Sequence, residues 1–375
     1  MLVAVPKETA PGERRVALVP DLLPKLTKAG LEVIVEPGAG EAAGFLDAAF
    51  AAKGAKVEGD FWGRADVLLT VQPPTVEEAG RLKEGATVIG FLSPYSNASG
   101  VQALAQRKAT AFAMELMPRI TRAQPMDALS AMSTIAGYRA ALIGASRLPK
   151  FFPMLMTAAG TVTPARVFII GAGVAGLQAI GTARRLGAVV EAYDTRPAVR
   201  EQVESLGARF ADLGLETKDA EAKTGYAQAQ SEEFYRKQQE MMGKFIGAAD
   251  VVITTALIPG KPAPKLISEA MVQGMAPGSV IVDLAAEQGG NCALTEPGQE
   301  VVKHGVQIIA PLNLASTLPF HASQMYSRTV TNFLFHLLKD GKIQIDLSDE
   351  LTRGPLATHQ GELVHDVVKA AAAGR

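Results

Sequence analysis

Short apolar runs alternate with helical segments along residues 1–115 of the chain. The apolar runs that predict strands lie at residues 3–5, 32–35, 66–70, 87–92 and 109–114. The segment 21–29 predicts a helix that stops at Gly30. Strands that alternate with helices pair in parallel through right-handed crossovers, so this part of the chain is predicted to form a doubly wound parallel sheet.

The same alternation restarts at Arg166 and predicts a second α/β domain. Its predicted strands lie at residues 167–170, 189–193, 251–254, 279–283 and 307–310. The segment 174–186 predicts a helix, and Gly187 follows it in the position of a C-terminal cap. The predicted fold class is therefore α/β, with two Rossmann-like doubly wound parallel-sheet domains.

Two long helical segments connect these sheets. One covers residues 126–148, where recurring small residues favour close packing on neighbours, and it leads into the second domain. The other, at 322–338, is expected to return to the first domain. The first domain is thus predicted to be discontinuous, comprising 1–128 and 320–375, and the second to comprise 129–319, with a cleft between them.

Two further segments leave alternatives open. The apolar stretch 149–164 has little period, which predicts a buried loop or hairpin, or else a dimer contact. Residues 216–230 are charged and poor in bulky apolar side chains, which predicts a mobile surface loop. Tyr226, set beside Gly225, favours the alternative that this loop is a lid.

The composition is that of an ordinary globular protein and excludes several classes of partner. The chain has 375 residues, more than one core usually serves, and 48% of them are hydrophobic. A net charge of −1 gives no general attraction to nucleic acid or to an anionic membrane. The single cysteine, Cys292, allows no intrachain disulfide.

No direct membrane insertion is expected from the sequence. The N-terminus MLVAVPKETAPGERR lacks the basic and apolar regions of a signal peptide. The longest charge-free run, 167–183, is interrupted by glycines and indicates a strand, a turn and a helix rather than a membrane span. Any membrane role would therefore come through a partner protein.

The string GAGVAG at residues 171–176 follows one predicted strand and opens one predicted helix. That is the context of a dinucleotide-binding turn. Gly171 would permit the tight turn, Gly173 the approach of a pyrophosphate, and Gly176 close packing of helix on strand. Phosphates would then lie at the positive end of the helix dipole. The alternative is a turn that serves packing alone.

Asp194 ends the next predicted strand and favours NAD over NADP. A carboxylate there accepts hydrogen bonds from the adenosine ribose hydroxyls and repels a 2′-phosphate. In the alternative interpretation, Asp194 or Thr195 only caps the following helix. Arg196 is a complication, because an arginine at this position could tolerate a phosphate.

A polar cluster lies at the start of the long segment 126–148. Its members within RITRAQPMDALS are Arg119, Arg122, Gln124, Asp127 and Ser130. The acid and the serine are three residues apart and share a helical face. Ordinary helix capping explains this spacing as well as a binding role does.

Residues suited to metal or acid–base chemistry are not grouped in the sequence. The 5 histidines all lie in the last fifth of the chain, none with metal-ligand spacing, so no metal site is expected. A dehydrogenase of an alcohol or amine needs a general base near the nicotinamide. Hydride transfer between two nicotinamides releases no proton and needs only apposition and orientation of the rings, which fits this sequence better.

Several strings together resemble the alanine dehydrogenase and transhydrogenase family over nearly the whole chain. They are VPKET…ERRVALVP, MELMPRITRAQPMDALSAMSTIAGYRA, GAGVAGLQAIGTARRLGAVVEAYDTRP, TTALIPGKPAPKLI and GSVIVDLAAEQGGNC. RAQPMDALS and TTALIPGKPAP are typical of the branch of Re/Si-specific, proton-translocating NAD(P)⁺ transhydrogenases.

The resemblance implies a homodimer that binds NAD(H) and exchanges hydride with NADP(H) held on a partner component. A membrane component would couple that transfer to proton translocation. The chain is then expected to be a peripheral subunit on the cytoplasmic side, at the inner face of a bacterial membrane.

The resemblance also implies roles for individual residues. Arg119, Gln124, Asp127 and Ser130 would line the nicotinamide end of the bound dinucleotide, and Tyr226 would lie on a loop that closes over it. Contacts with the rest of NAD(H) are implied for Val174, Asp194, Thr195, Arg196, Gly225, Gln238 and Leu257.

An alanine dehydrogenase-like activity is the alternative within the family. The amino-acid site of those enzymes uses an arginine near the N-terminus, a lysine and a histidine. Arg15 matches the arginine, but the neighbourhoods of the other two hold Gln72 and Ser93. Without the two ionisable groups, imine formation and proton transfer lose their agents.

Overall fold

The computed structural model describes residues 1–214, 232–258 and 260–374, without the side chains of residues 232 and 235. The chain divides into two compact units. Unit 1 comprises Met1–Met132 and Ala315–Arg375, and unit 2 comprises Ser133–Leu314. Both boundaries lie a few residues from the predicted ones. The first falls inside a continuous helix, Ala128–Arg147, whose sequence carries no break.

The first segment of unit 1 alternates strands and helices. Its strands are β1 (Leu2–Val5), β2 (Glu32–Val35), β3 (Lys56–Val57), β4 (Val67–Leu69), β5 (Thr87–Gly90) and β6 (Thr110–Ala113). Its helices are α1 (Leu23–Lys28), α2 (Asp47–Ala52), α3 (Val76–Arg81) and α4 (Ala98–Gln106). Helix α5 (Ala128–Arg147) then passes into unit 2.

Unit 2 continues the alternation. Its strands are β7 (Leu155–Thr157), β8 (Gly160–Val162), β9 (Arg166–Ile170), β10 (Val189–Tyr193), β11 (Arg209–Phe210), β12 (Val251–Thr254), β13 (Val280–Asp283), β14 (Glu300–Lys303) and β15 (Val306–Ile309). Its helices are α6 (Val174–Arg185), α7 (Arg200–Ser205), α8 (Glu232–Gly247) and α9 (Glu269–Gln273).

The last segment returns to unit 1, beginning with helix α10 (Pro319–Leu337). Its Pro319 takes a first-turn position, where the missing N–H costs nothing. The remaining elements are β16 (Leu338–Lys339), β17 (Lys342–Ile343), α11 (Glu350–Arg353), β18 (Leu356–His359), β19 (Glu362–Leu363) and α12 (Asp366–Ala372). None of the helices in the described residues is long and apolar enough to cross a membrane.

The sheet of unit 1 has the order β19-β18-β6-β5-β4-β1-β2-β3. The strands from β6 to β3 pair in parallel, and β1 lies between β4 and β2, so the winding reverses at β1 and β4. Strands β18 and β19 pair antiparallel at the edge. The predicted α/β fold with a parallel sheet is confirmed for the strands from β6 to β3. The antiparallel strands at the edge come from the last segment of the chain, where a tight turn at Gln360 and Gly361 joins β18 to β19.

The sheet of unit 2 has the order β11-β10-β9-β12-β13-β15-β14. The strands β11, β10, β9, β12, β13 and β15 pair in parallel in this order, and β14 pairs antiparallel with β15 at the edge. Strand β9 lies between β10 and β12, so the winding reverses between β9 and β12. In a doubly wound sheet, ligands bind at the carboxyl ends of the strands at such a reversal.

Helix α5 packs very closely on two elements of unit 2. A Cβ added to Gly137 would lie 2.0 Å from the carbonyl oxygen of Ala175, in the first turn of α6. A Cβ added to Gly144 would lie 2.8 Å from Val251 Cγ1. The close packing predicted from the small residues of this helix is confirmed.

Within the stretch 149–164, residues 155–162 form the antiparallel hairpin β7–β8. The alternative of a buried loop is wrong, because Phe151 and Met154 are each 58% exposed and Met156 is 79% exposed. Phe152 packs into the core of unit 2, whereas Phe151, Met154 and Met156 point to solvent, and a one-dimensional apolar pattern cannot distinguish the two.

Candidate dinucleotide site

The turn between β9 and α6 holds the glycine string of unit 2. Gly171 has a φ of +93°, which favours glycine, and its N–H donates to the carbonyl of Tyr193 at 2.8 Å. A Cβ on Gly176 would lie 1.9 Å from the carbonyl oxygen of Gly171. Two of the three glycines are therefore required by the packing of the turn itself.

Gly173 is different, because its surroundings are open. It is the N-terminal cap of α6, in an extended conformation and without a side-chain capping bond. Among the described residues, a Cβ added to it would meet only Arg196 Nη2, at 3.8 Å. The N–H groups of the first helical turn thus face a space where a group bearing negative charge would be favoured.

Asp194 ties this turn to the end of β10. Its side chain is almost buried, and Oδ2 accepts the N–H of Ala172 at 2.8 Å. Arg196 donates its backbone N–H and Nε to Oδ1 and Nη2 to Oδ2, at 2.8–2.9 Å. Each carboxylate oxygen accepts two bonds, so the carboxylate is hydrogen-bonded at all four lone pairs.

The structure does not support the helix-capping alternative for Asp194 and Thr195. The short 3₁₀ helix that follows, Pro197–Val199, has Arg196 as its N-terminal cap and no side-chain capping bond. The charge of Arg196 is compensated by Asp194 in a forked ion pair that is largely buried. The arginine that complicated the nucleotide preference is therefore neutralised in this structure.

Sequence reasoning missed Thr255 and Asn291, which shape the neighbouring loop after β12. Thr255 Oγ1 donates to the carbonyl of Gly171 at 2.9 Å. Asn291 is fully buried; its Oδ1 accepts the N–H of Ala256, and its Nδ2 donates to the carbonyls of Ala256 and Pro264 at 2.9 Å. The half-buried Leu257 lies in the loop that this asparagine folds. The only signals were the strings TTALIPGKPAP, which contains Thr255, and GSVIVDLAAEQGGNC, which contains Asn291.

Gln238 of α8 lies beside the end of β10. Its Nε2 donates to the hydroxyl of Tyr193 at 3.1 Å, and burial raises the pKa of that hydroxyl to about 12. The side-chain oxygen of Gln238 is buried and has no hydrogen-bond partner within the described ranges. The hydrogen bond between Gln238 and Tyr193 joins α8 to the carboxyl end of β10. Val174 begins α6, while Gly225 and Tyr226 lie outside the described residues.

The polar cluster of unit 1 lies on a 3₁₀ helix, Thr121–Met126, and on the start of α5. Asp127 caps α5, because its Oδ1 accepts the N–H of Ser130 at 2.8 Å and its Oδ2 accepts the serine hydroxyl at 2.6 Å. The capping interpretation is confirmed, and it brings these two side chains together. Gln124 and Arg119 are exposed.

Within residues 1–214, 232–258 and 260–374, no three His, Cys, Asp or Glu side chains are grouped so that they could hold a metal ion.

Two family models together cover almost the whole chain. The model described as "Alanine dehydrogenase/PNT, N-terminal domain" matches residues 4–136, and "Alanine dehydrogenase/PNT, C-terminal domain" matches residues 140–366.

The chain belongs to the alanine dehydrogenase/PNT family.

Within this family, the chain is more similar to transhydrogenases than to an alanine dehydrogenase. The first of the parts that make up NAD(P) transhydrogenase subunit alpha in Rhodospirillum rubrum is 51% identical, over 97% of this chain and 98% of that protein. The alanine dehydrogenase of Halomonas elongata is 32% identical, over 98% of this chain and 96% of its own. A crystal structure of transhydrogenase from Sinorhizobium meliloti is 41% identical, with a TM-score of 0.86 over 98% of this chain and 99% of that one. The resemblance predicted from the sequence is confirmed.

Arg15, which matches the arginine of the alanine dehydrogenases in this family, is paired inside unit 1. Its Nε and Nη2 donate to the carboxylate of Glu13 at 2.7 and 2.5 Å, and both side chains are buried. Gln72 Nε2 also donates to that carboxylate, at 2.8 Å. Burial by itself raises the pKa of Glu13, but the bonds and charge of Arg15 outweigh it and lower that pKa to about 2. The Arg15 guanidinium is therefore already paired with a carboxylate of the same chain, that of Glu13.

Two further glutamates hold the loops after β4 and β5. Glu8 accepts the N–H groups of Val71 and Gln72 at 2.6 and 3.1 Å, and burial raises its pKa to about 8. Glu115 accepts the N–H of Ser93 at 2.6 Å, and burial raises its pKa to about 7. Gln72 and Ser93, which lie in the neighbourhoods where the lysine and histidine are expected, are thus held through their backbone N–H groups by buried acids.

Proposed function

We propose that this chain is the NAD(H)-binding subunit of a proton-translocating, Re/Si-specific NAD(P)⁺ transhydrogenase. The observation that carries the proposal is the turn of unit 2, where Gly173 leaves the start of α6 open beside the Asp194–Arg196 pair. High identity to a transhydrogenase alpha subunit over the full chain supports the same function.

In this proposal, the glycine turn and the start of α6 bind the pyrophosphate, since helix N-termini favour anions. Asp194 binds the adenosine ribose and disfavours a 2′-phosphate, which makes NAD(H) the nucleotide of this subunit. Thr195, Arg196, Gln238 and Leu257 contact the remainder. Because Asp194 already accepts four hydrogen bonds, a ribose hydroxyl must displace one donor of Arg196.

Arg119, Gln124, Asp127 and Ser130 contact and orient the nicotinamide ring. When bound, the nicotinamide supplies or receives the hydride that is exchanged with NADP(H) on a partner subunit. The residues of this chain position the ring and are not chemically consumed, which agrees with the absence of an evident acid–base pair among them. A lid role for Tyr226 and Gly225 belongs to the same proposal and lies outside the described residues.

The same proposal includes partners and location. The partners are a second copy of this chain, an NADP(H)-binding component and a membrane component that conducts protons. The chain would then be peripheral to the inner face of a bacterial cytoplasmic membrane. The exposed apolar side chains of the β7–β8 hairpin support association with a second copy.

The test is to mix the purified chain with an NADP(H)-binding transhydrogenase component, add NADPH, and follow reduction of an NAD⁺ analogue by absorbance. Rapid reduction that needs both proteins is expected. No reduction, with NADH still bound, would overturn the proposal. A screen of amino acids with NAD⁺ then tests the alanine dehydrogenase-like alternative, for which Glu13 would have to release Arg15.

Gln124→Ala sharpens this test. We expect hydride transfer to slow roughly tenfold, since loss of ring orientation costs rate more than affinity. NADH affinity, measured by nucleotide fluorescence, should stay within about twofold. Gln102→Ala removes an exposed glutamine of α4 and is the matched control. Unchanged transfer in the Gln124 variant would rule out the proposed role of that side chain.

A further inference from the structure

The segment that carries Gln124 has little internal means of holding its shape. It is the 3₁₀ helix Thr121–Met126 with Pro125 inside it. Hydrogen bonds of 3₁₀ helices have poor geometry, and a proline contributes no N–H donor. Ala123 and Met126 are buried, whereas Gln124 between them is exposed. The direction of the Gln124 side chain therefore depends on contacts from outside the segment.

Asn332 of α10 supplies one such contact. Its Nδ2 donates to the carbonyl oxygen of Pro125 at 3.0 Å, next to Gln124 in the chain. Its Oδ1 accepts from Lys25 Nζ at 3.4 Å. A lysine can only donate, so this contact settles which end of the amide faces the lysine and leaves the NH₂ group for Pro125.

Asp349 supplies a second contact on the other side of Gln124. Arg122 Nη2 donates to Asp349 Oδ1 at 2.6 Å. The same oxygen accepts the N–H of Leu351 and caps α11, and the other oxygen lies 3.2 Å from His336 Nε2. The bond from Leu351 and the contact with His336 thus hold Asp349 independently of Arg122.

We propose that Asn332 and Asp349 are positioning residues for Gln124, holding the backbone on either side of it. This inference rests on the proposed role of Gln124 in orienting the nicotinamide. Both residues come from the last segment of the chain, far in sequence from the cluster they hold. They act through the shape of Thr121–Met126 rather than by contact with the nucleotide.

The two contacts should differ in strength. The Arg122 side chain of the Arg122–Asp349 pair is 64% exposed, and exposed ion pairs contribute little to stability. Asn332 bonds directly to a backbone carbonyl inside the segment. Because small displacements of a reacting group cost large factors in rate, Asn332→Ala is expected to slow hydride transfer about tenfold and Asp349→Asn about twofold.

A double-mutant cycle tests the inference in the two-component assay. Single-turnover hydride transfer, NADH affinity and thermal stability are measured for Asn332→Ala, Gln124→Ala and the double variant. Asn332→Ala should slow transfer about tenfold and leave NADH affinity within about twofold. In the Gln124→Ala background it should have no further effect, because it acts through that side chain.

Two further variants separate positioning from folding. Asn332→Asp has nearly the same shape and keeps the contact with Lys25 but cannot donate to Pro125, so it should be slow at normal thermal stability. Arg328→Ala removes an exposed side chain of the same helix and should behave as the wild type. Equal slowing by Asn332→Ala in both backgrounds, or wild-type rates in Asn332→Asp, would overturn the inference. A wild-type rate in Gln124→Ala alone would instead refute the proposed role of Gln124 and, with it, this inference.

Discussion

At the residue scale, the three glycines of the turn between β9 and α6 occupy their positions for different physical reasons. Gly171 has a positive φ, and Gly176 touches the backbone of Gly171, so both are needed for the fold. Gly173 has an ordinary extended conformation and no close neighbour in the described chain except the end of Arg196. A side chain there would take up space that the protein itself does not use.

Alanine substitutions should separate these reasons. Gly173→Ala should change the free energy of unfolding by less than about 1 kcal/mol, the usual scale of a capping change, and weaken NADH binding at least roughly tenfold. Gly176→Ala should cost about 1–3 kcal/mol, because its Cβ would overlap a backbone oxygen. Urea unfolding and NADH fluorescence titration measure the two effects. If Gly173→Ala bound NADH as the wild type does, the pyrophosphate would not approach this turn.

At the element scale, the start of α6 is held in place by α5. Because Gly137 has no side chain, the backbone of α5 approaches the first turn of α6 so closely that an added Cβ would lie 2.0 Å from the carbonyl oxygen of Ala175. That turn carries the N–H groups proposed to bind the pyrophosphate. The packing of one helix on another therefore fixes the geometry of the candidate site.

Gly137→Ala should push the two helices apart. We expect a loss of about 1–3 kcal/mol in the free energy of unfolding, with weaker NADH binding, because backbone must move to accommodate the methyl group. Gly181→Ala on α6 is the matched control: its nearest neighbour, Leu206 Cδ2, is 4.0 Å from the added Cβ. That variant should be stabilised by up to about 1 kcal/mol through helix propensity. Equal stability of the two variants would show that the helices can separate without cost.

At the scale of the whole molecule, the β7–β8 hairpin is the feature that a single copy leaves unexplained. An isolated two-stranded hairpin is marginal in water, and this one exposes Met156, with Phe151 and Met154 exposed just before it. Contiguous exposed apolar side chains mark interaction surfaces. The proposed homodimer provides a partner that would cover them.

Met156→Glu should therefore weaken the dimer, because it places a charge in an apolar contact. Sedimentation across a concentration series should show the dissociation constant rising at least roughly tenfold. Val302→Glu is the control, since Val302 is similarly exposed, at 66%, on the edge strand β14 of the same unit. A Met156 variant that stays dimeric at every concentration would place the interface elsewhere.

The alternation of elements and the position of the glycine turn could be predicted from the sequence. Three predicted strands, 32–35, 189–193 and 251–254, agree with β2, β10 and β12 at both ends. Central parallel strands are buried on both faces, so they appear as continuous apolar runs that are easily recognised. The glycine turn was recognisable because its local strand–turn–helix context is encoded in adjacent residues.

The edges of the sheets and the pairing of charges depend on contacts that form only in the folded protein. The edge strands β14 and β19 are half-exposed, and β19 has only two residues, so neither has a strong apolar period. The pairing of Arg15 with Glu13, the burial of Asn291, and the anchoring of Thr121–Met126 by Asn332 depend on side-chain geometry or on residues far apart in sequence. A hydrophobic pattern records which residues are buried, but not which of them meet, because contacts are made only when the sheet brings distant segments together.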